Sequence, residues 1–145
     1  MGSCLAVLFI FISPTAHAVN WLEIGKATDK SLTASIDLDS IRSHQFSGYN
    51  SRSYLSVWVK YDFTTAQKAN NGKLYRQTKD LIYIDCDNKK WTIKEVHKYT
   101  STGNVVDNLK NPYLTTSSSN SWESIIPETS SERIVELTCY YAQNK

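Results

Sequence analysis

The sequence predicts an α+β fold: a small β-sheet of about six strands, with a C-terminal α-helix packed on it and one disulfide. Three observations predict it. Apolar and polar residues alternate with a period of two in several segments between Ser31 and Tyr99. The turn dipeptides Asn71-Gly72, Asp87-Asn88 and Gly103-Asn104 separate the later segments. Only after Pro127 does the apolar period change to that of a helix.

Trp21 to Lys26 is a short strand candidate. In Ser31–Leu38, Leu32, Ala34, Ile36 and Leu38 share one face, which predicts a half-buried strand. His44 to Ser53 is polar, holds Gly48 and Asn50, and reads as a loop. Ser53–Phe63 alternates best: Leu55, Val57, Val59, Tyr61 and Phe63 lie on one face, Tyr54, Ser56, Trp58, Lys60 and Asp62 on the other. A long connection from about Thr64 to Lys73 leads to the next strand, Leu74–Cys86, in which Ile82, Ile84 and Cys86 face one way. Trp91–Tyr99 is a strand whose parity slips between Ile93 and Val96; a β-bulge near Lys94-Glu95 reconciles the two halves. Val105–Leu109 follows the third turn, and the Ser/Thr/Asn-rich stretch Asn111–Ser121 reads as a mobile surface loop. Thr129 with Glu132 makes a capping box, and Ile134, Val135, Leu137, Thr138, Cys139 and Tyr141 form one face of a helix from about Ser130 to Ala142.

The apolar run Cys4–Ile12 spans roughly half of what a bilayer needs. Followed by Pro14 and Ala16-His17-Ala18, it reads as a secretory signal over residues 1–18, leaving 19–145 as a single exported domain. The MGS start carries no Lys or Arg, so the α-amino group alone supplies the positive end. Cys4 stands at the front of the apolar run, where no lipoprotein cleavage site can be read. Export leaves Cys86 and Cys139, an even pair in an oxidising compartment, and predicts a disulfide tying the helix to a strand end. Two cysteines without CxxC spacing argue against a metal site.

Sixteen Lys and Arg against 14 Asp and Glu is too even a balance for a nucleic-acid binder, and no segment is long and apolar enough for a transmembrane helix. Catalytic motifs are absent from the sequence: no HExxH, GxSxG, P-loop or GxGxxG. The chain therefore reads as a non-enzyme with no cofactor of its own. His44 and His97 lack a partner at metal spacing, and Asp85 and Asp87, flanking Cys86, read as solvated carboxylates. Lys89, Lys90, Lys94 and Lys98, interleaved with Trp91 and Tyr99, are the candidate partner-binding stretch; alternate positions would place Lys94 and Lys98 on one face for an acidic partner.

The segments SIDLDSIR (35–42), LSVWVKYDF (55–63), GKLYRQTKDLIYIDCDNKKW (72–91), GNVV (103–106) and WESIIPETSSERIVELTC (122–139), in this order and together with Trp21, resemble the surface-adhesin protein E family of Gram-negative bacteria. The resemblance implies a small antiparallel sheet with a C-terminal helix fixed by Cys86 and Cys139. It also implies an exported protein of the periplasm, the outer-membrane surface or the medium. Such a protein engages a protein partner such as a host extracellular-matrix protein, and a homodimer through an open sheet edge is a further option. Two alternatives stand beside it: a small-ligand (haem) binder using His44, His97 or a tyrosine as axial ligand, and a structural or inhibitory periplasmic accessory domain.

Overall fold

The computed structural model describes residues 19–26, 30–48 and 51–144; the leader assigned to residues 1–18, with its Cys4, lies outside them. The elements are β1 (Trp21–Lys26), β2 (Leu32–Asp37), a 3-10 turn (Leu38–Ser40), β3 (Arg42–Gln45), β4 (Ser53–Lys68), β5 (Leu74–Asp85), β6 (Lys90–Tyr99), β7 (Val105–Lys110), β8 (Glu123–Ser124) and α1 (Ser130–Gln143). Neighbouring strands run antiparallel in the order β1-β2-β4-β5-β6-β7. The expected six strands thus form the width of the sheet, and two short ones bring the total to eight. β3 pairs with the start of β4, from Ser53 to Ser56, while β2 takes Val59 to Phe63 on the same side. β8 pairs with Lys90 and Trp91 of β6, while β7 takes Glu95 to Tyr99.

Two expectations about connections are corrected. His44 and Gln45, expected to open a loop, are instead the end of strand β3: RSHQ carries no apolar alternation, and it is extended because β4 offers it a ladder. The connection after β4 is shorter than expected. The strands run on to Lys68 and resume at Leu74, around a turn closed by Ala69 N–H to Lys73 O (2.9 Å) and Gly72 N–H to Ala69 O (2.9 Å). Gly72 sits at φ 82°, a left-handed conformation that suits glycine.

The core lies between one face of the sheet and α1. Ile36, Val57, Val59, Ile82 and Ile84 are wholly buried there, and Ile134 and Val135 of α1 close over them. Each such aliphatic side chain contributes about 1.5–3 kcal/mol when removed from water. At the head of α1, Glu132 N–H donates to Thr129 Oγ1 (3.3 Å), and the Glu132 carboxylate reaches back to Glu128 N–H (2.7 Å), one residue beyond the usual capping-box partner. Cys86 and Cys139 are bonded, with Cα atoms 6.0 Å apart.

The parity slip in β6 has the cause its sequence suggests. Leu81 faces Glu95 and Ile82 faces Ile93, so Lys94 is the extra residue of a bulge. Before it, Trp91 and Ile93 pack on the helix-side core; after it, Val96 and Lys98 pair with Asp80 and Thr78 on that same side. His97 and Tyr99 are thereby turned to the opposite face.

Asp80 is an unusual member of the helix side. It is 7 % exposed, and its Oδ1 has no hydrogen-bond partner. Burial raises its pKa to about 6, against the opposing pull of Thr78, His97 and Lys98. A carboxyl whose folded pKa is raised binds its proton more tightly in the native state. Stability therefore falls as pH rises from about 4 to about 6. Asp80→Asn removes that loss, and thermal unfolding should find the variant more stable by roughly 2 kcal/mol at pH 7 and indistinguishable from the parent below pH ~4. An equal gain at both pH values would remove ionisation as the cause.

Candidate functional site

The second face of the sheet, away from α1, is built from the alternate residues of the same strands. Its end nearest β3 is closed by an aromatic cluster. Tyr54 lies 4.9 Å from Phe46, 5.0 Å from Tyr83 and 5.5 Å from Trp122, centroid to centroid. Trp122 closes the stretch 111–122, and its indole N–H donates to Thr115 O (3.1 Å). That stretch is irregular, as its composition predicts, yet it is fastened rather than loose: Ser47 N–H donates to Thr116 O (2.9 Å), and Lys90 Nζ to Asn120 O (3.0 Å).

Its strongest tether is Asp85. Expected as a solvated carboxylate, Asp85 is only 1 % exposed. It accepts hydrogen bonds from Ser119 Oγ (2.5 Å), Asn88 Nδ2 (2.7 Å), Asn88 N–H (3.2 Å) and Arg52 (3.1 Å). Burial pushes its pKa up, but the hydrogen bonds of Ser119 and Asn88 and the charge of Arg52 together outweigh it, leaving the pKa below the ordinary carboxylate value. Asp87, one turn position on, is exposed.

Beyond the cluster this face lies open. A shallow groove of about 390 Å³ runs across it, lined by Trp21 of β1, Asp37 of β2, Trp58 of β4, Lys79 of β5 and Glu95, His97 and Tyr99 of β6. Lysines pack on its rings: Lys60 Nζ stands 5.0 Å from the centre of Trp21, and Lys79 Nζ stands 5.1 Å from that of Tyr99. The six-strand path ends at β1 and β7, and the short β3 and β8 likewise have a single strand neighbour each among the described residues. β1 is guarded by a register shift between Glu23 and Gly25 and by the exposed Glu23–Lys26 pair (3.5 Å). β7 instead exposes Val105 (60 %) and Leu109 (42 %).

The sequence model of the surface-adhesin protein E family matches residues 21–140, from the first residue of β1 to the residue after Cys139. The chain belongs to this family. A search of curated proteins gives no match.

Within this surface-adhesin E domain the four candidate lysines are dispersed. Lys89 is exposed at the β5–β6 turn, with φ 50°. Lys90 is drawn to Asn120, and Lys94 is the bulge residue, whose carbonyl accepts from Asn111 N–H (2.9 Å). Lys98 is 8 % exposed on the helix side, 3.6 Å from the Asp107 carboxylate and 5.2 Å from the centre of Tyr75. The bulge separates it from Lys94, so the shared face expected for the two is not formed.

The two histidines of the adhesin domain differ: His44 is hydrogen-bonded, and the buried His97 Nε2 has no hydrogen-bond partner among the described residues. His44 Nε2 lies 2.8 Å from Ser56 Oγ, with its ring stacked 5.1 Å from Tyr54. His97 Nε2 is buried, 3.6 Å from Glu95 Oε1, and its ring lies against Trp58 (5.6 Å). Among the described residues no group of three or more His, Cys, Asp or Glu is placed to hold a metal, and no helix is long and apolar enough to cross a membrane. The groove and the Asp85 tether escape sequence reasoning. The one signal for the groove was the polar face of Ser53–Phe63, where Trp58 stands among Ser56, Lys60 and Asp62.

Proposed function

We propose that this chain is an exported, non-enzymatic adhesin that engages a protein partner, such as a host extracellular-matrix protein. Membership of the surface-adhesin E family over residues 21–140 is the observation that carries the reading. The sheet supplies a physical means. β7 has no strand on its outer side and carries two exposed aliphatic side chains, Val105 and Leu109, and an extended segment of the partner adds there as a further strand. The same edge serves a second copy of the chain. Lys110, exposed at the end of β7 and 3.8 Å from the Glu95 carboxylate, and the turn residue Lys89 provide positive charge for an acidic segment.

Binding to immobilised matrix proteins tests the reading. Leu109→Lys puts a charge on the edge without opening the core, and it should weaken binding by about tenfold or more. Lys89→Glu and Lys110→Glu should lower the association rate and its dependence on salt. No measurable binding to any matrix protein, together with full protection from protease on intact cells, would instead assign the domain to an accessory task in the periplasm.

A further inference from the structure

The groove on the open face has a composition that the adhesin reading does not use. Trp21, Trp58 and Tyr99 stand on β1, β4 and β6, which are alternate strands in the sheet order. Residues on alternate strands are roughly 10 Å apart, about the length of a disaccharide. The rings are half-buried and held by their own sheet, and a ligand that stacks on Trp21 or Tyr99 takes the place of the Lys60 or Lys79 ammonium group now packed there. Between them lie groups that make or accept hydrogen bonds: Lys79, Asp37 and Glu95. No acceptor within the protein is engaged by the indole N–H of Trp21 or Trp58 among the described residues, in contrast to Trp122, whose N–H is spent on Thr115.

Aromatic faces set among paired donors and acceptors match the chemistry of a pyranose. One side of the sugar ring is a patch of polarised C–H bonds that stacks on an aromatic face, and its rim is hydroxyls. Charge narrows the class. Along the groove Lys60, paired with Asp62 (3.4 Å), Lys110, paired with Glu95 (3.8 Å), and Lys79 are matched by those two carboxylates and Asp37, so the site offers no net attraction to a polyanion. The shallow opening admits a chain passing through rather than a ligand sealed inside.

We propose that this groove is a carbohydrate site that takes a neutral, linked glycan of at least two pyranose units. It does not depend on the edge of β7 or on which protein that edge meets.

The test is titration of the purified chain with cellotetraose, chitotetraose and N-acetyllactosamine, followed by tryptophan fluorescence and calorimetry, with a heparin tetrasaccharide as the anionic comparison. Saturable binding of a neutral oligosaccharide is expected, with a change in tryptophan emission. Trp58→Ala should weaken it by about tenfold, the worth of one stacked ring. Because Trp58 lies within the sheet, Trp21→Ala and Lys79→Ala at the groove's margin serve as further variants, each expected to weaken binding with the circular dichroism spectrum unchanged. Leu109→Lys should leave glycan binding intact. Absence of binding by all three neutral oligosaccharides overturns the proposal. So does binding of the heparin fragment alone, or glycan binding unchanged in every groove variant.

Discussion

Replacing Cys86 and Cys139 together by alanine should cost about 4 kcal/mol of stability, the loop-closure entropy of the 53-residue separation that the bond spans. For a domain of this size that is a fall in melting temperature on the order of 15 °C. The bond joins the end of β5 to the penultimate turn of α1, and α1 supplies the cover over Ile36, Val57, Val59, Ile82 and Ile84. Without the tether the C-terminal turns of α1 should fray first. Hydrogen exchange would then accelerate at Thr138 to Ala142 before it does in β4 or β5. Thermal unfolding with and without reductant checks the magnitude, and a loss below about 1 kcal/mol would mean that packing of Ile134 and Val135 holds the helix without help.

The second large effect belongs to Asp85. Asp85→Ala leaves Ser119, Asn88 and Arg52 without their shared acceptor at a buried site, and it should destabilise by about 3 kcal/mol. Asp87→Ala, at the exposed neighbour, should change stability by no more than about 0.5 kcal/mol. The sign of the pH effect follows from the lowered pKa of Asp85. A carboxylate held below its unfolded value adds stability above the unfolded pKa. That contribution disappears as pH falls through the folded value, so the window lies below pH ~4. Asp85→Asn should therefore flatten the acid limb of the stability curve while being less stable than the parent at neutral pH. Emission of Trp122 reports the local consequence, since Ser119 and Trp122 share the stretch that Asp85 secures. An unshifted Trp122 spectrum and an unchanged acid limb would refute the tether.

The fold was largely legible because its main elements obey single rules. From Leu55 to Phe63 every second residue is apolar, and the structure places Val57 and Val59 in the core. The bulge at Lys94 could be located because Trp91 and Ile93 disagree in parity with Val96. Thr129 and Glu132 marked the helix start because a cap is a local arrangement. What stayed hidden depends on partners far along the chain. β3 is strand through the edge of β4, and β8 is two residues held by Lys90 and Trp91. Asp85 is buried by residues that lie 33 and 34 positions away, Arg52 and Ser119, and no local pattern announces them. Lys98 was misjudged for a related reason. Its face is set by the bulge, and the parity that carries Val96 to the helix side carries Lys98 with it, beside Asp107. The groove needed three strands to be set side by side before Trp21, Trp58 and Tyr99 became neighbours.

The single extra residue at Lys94 also governs what the strand displays. A deletion there would remove the bulge and leave every later side chain on its present face: Glu95 would follow Ile93 in plain alternation, opposite Leu81, with Val96 and Lys98 still on the helix side and His97 and Tyr99 still on the open one. Drawing Lys94 into a regular ladder would instead turn Val96 and Lys98 outward. The surplus residue therefore acts as a spacer that a shorter strand could lose without exchanging the two faces.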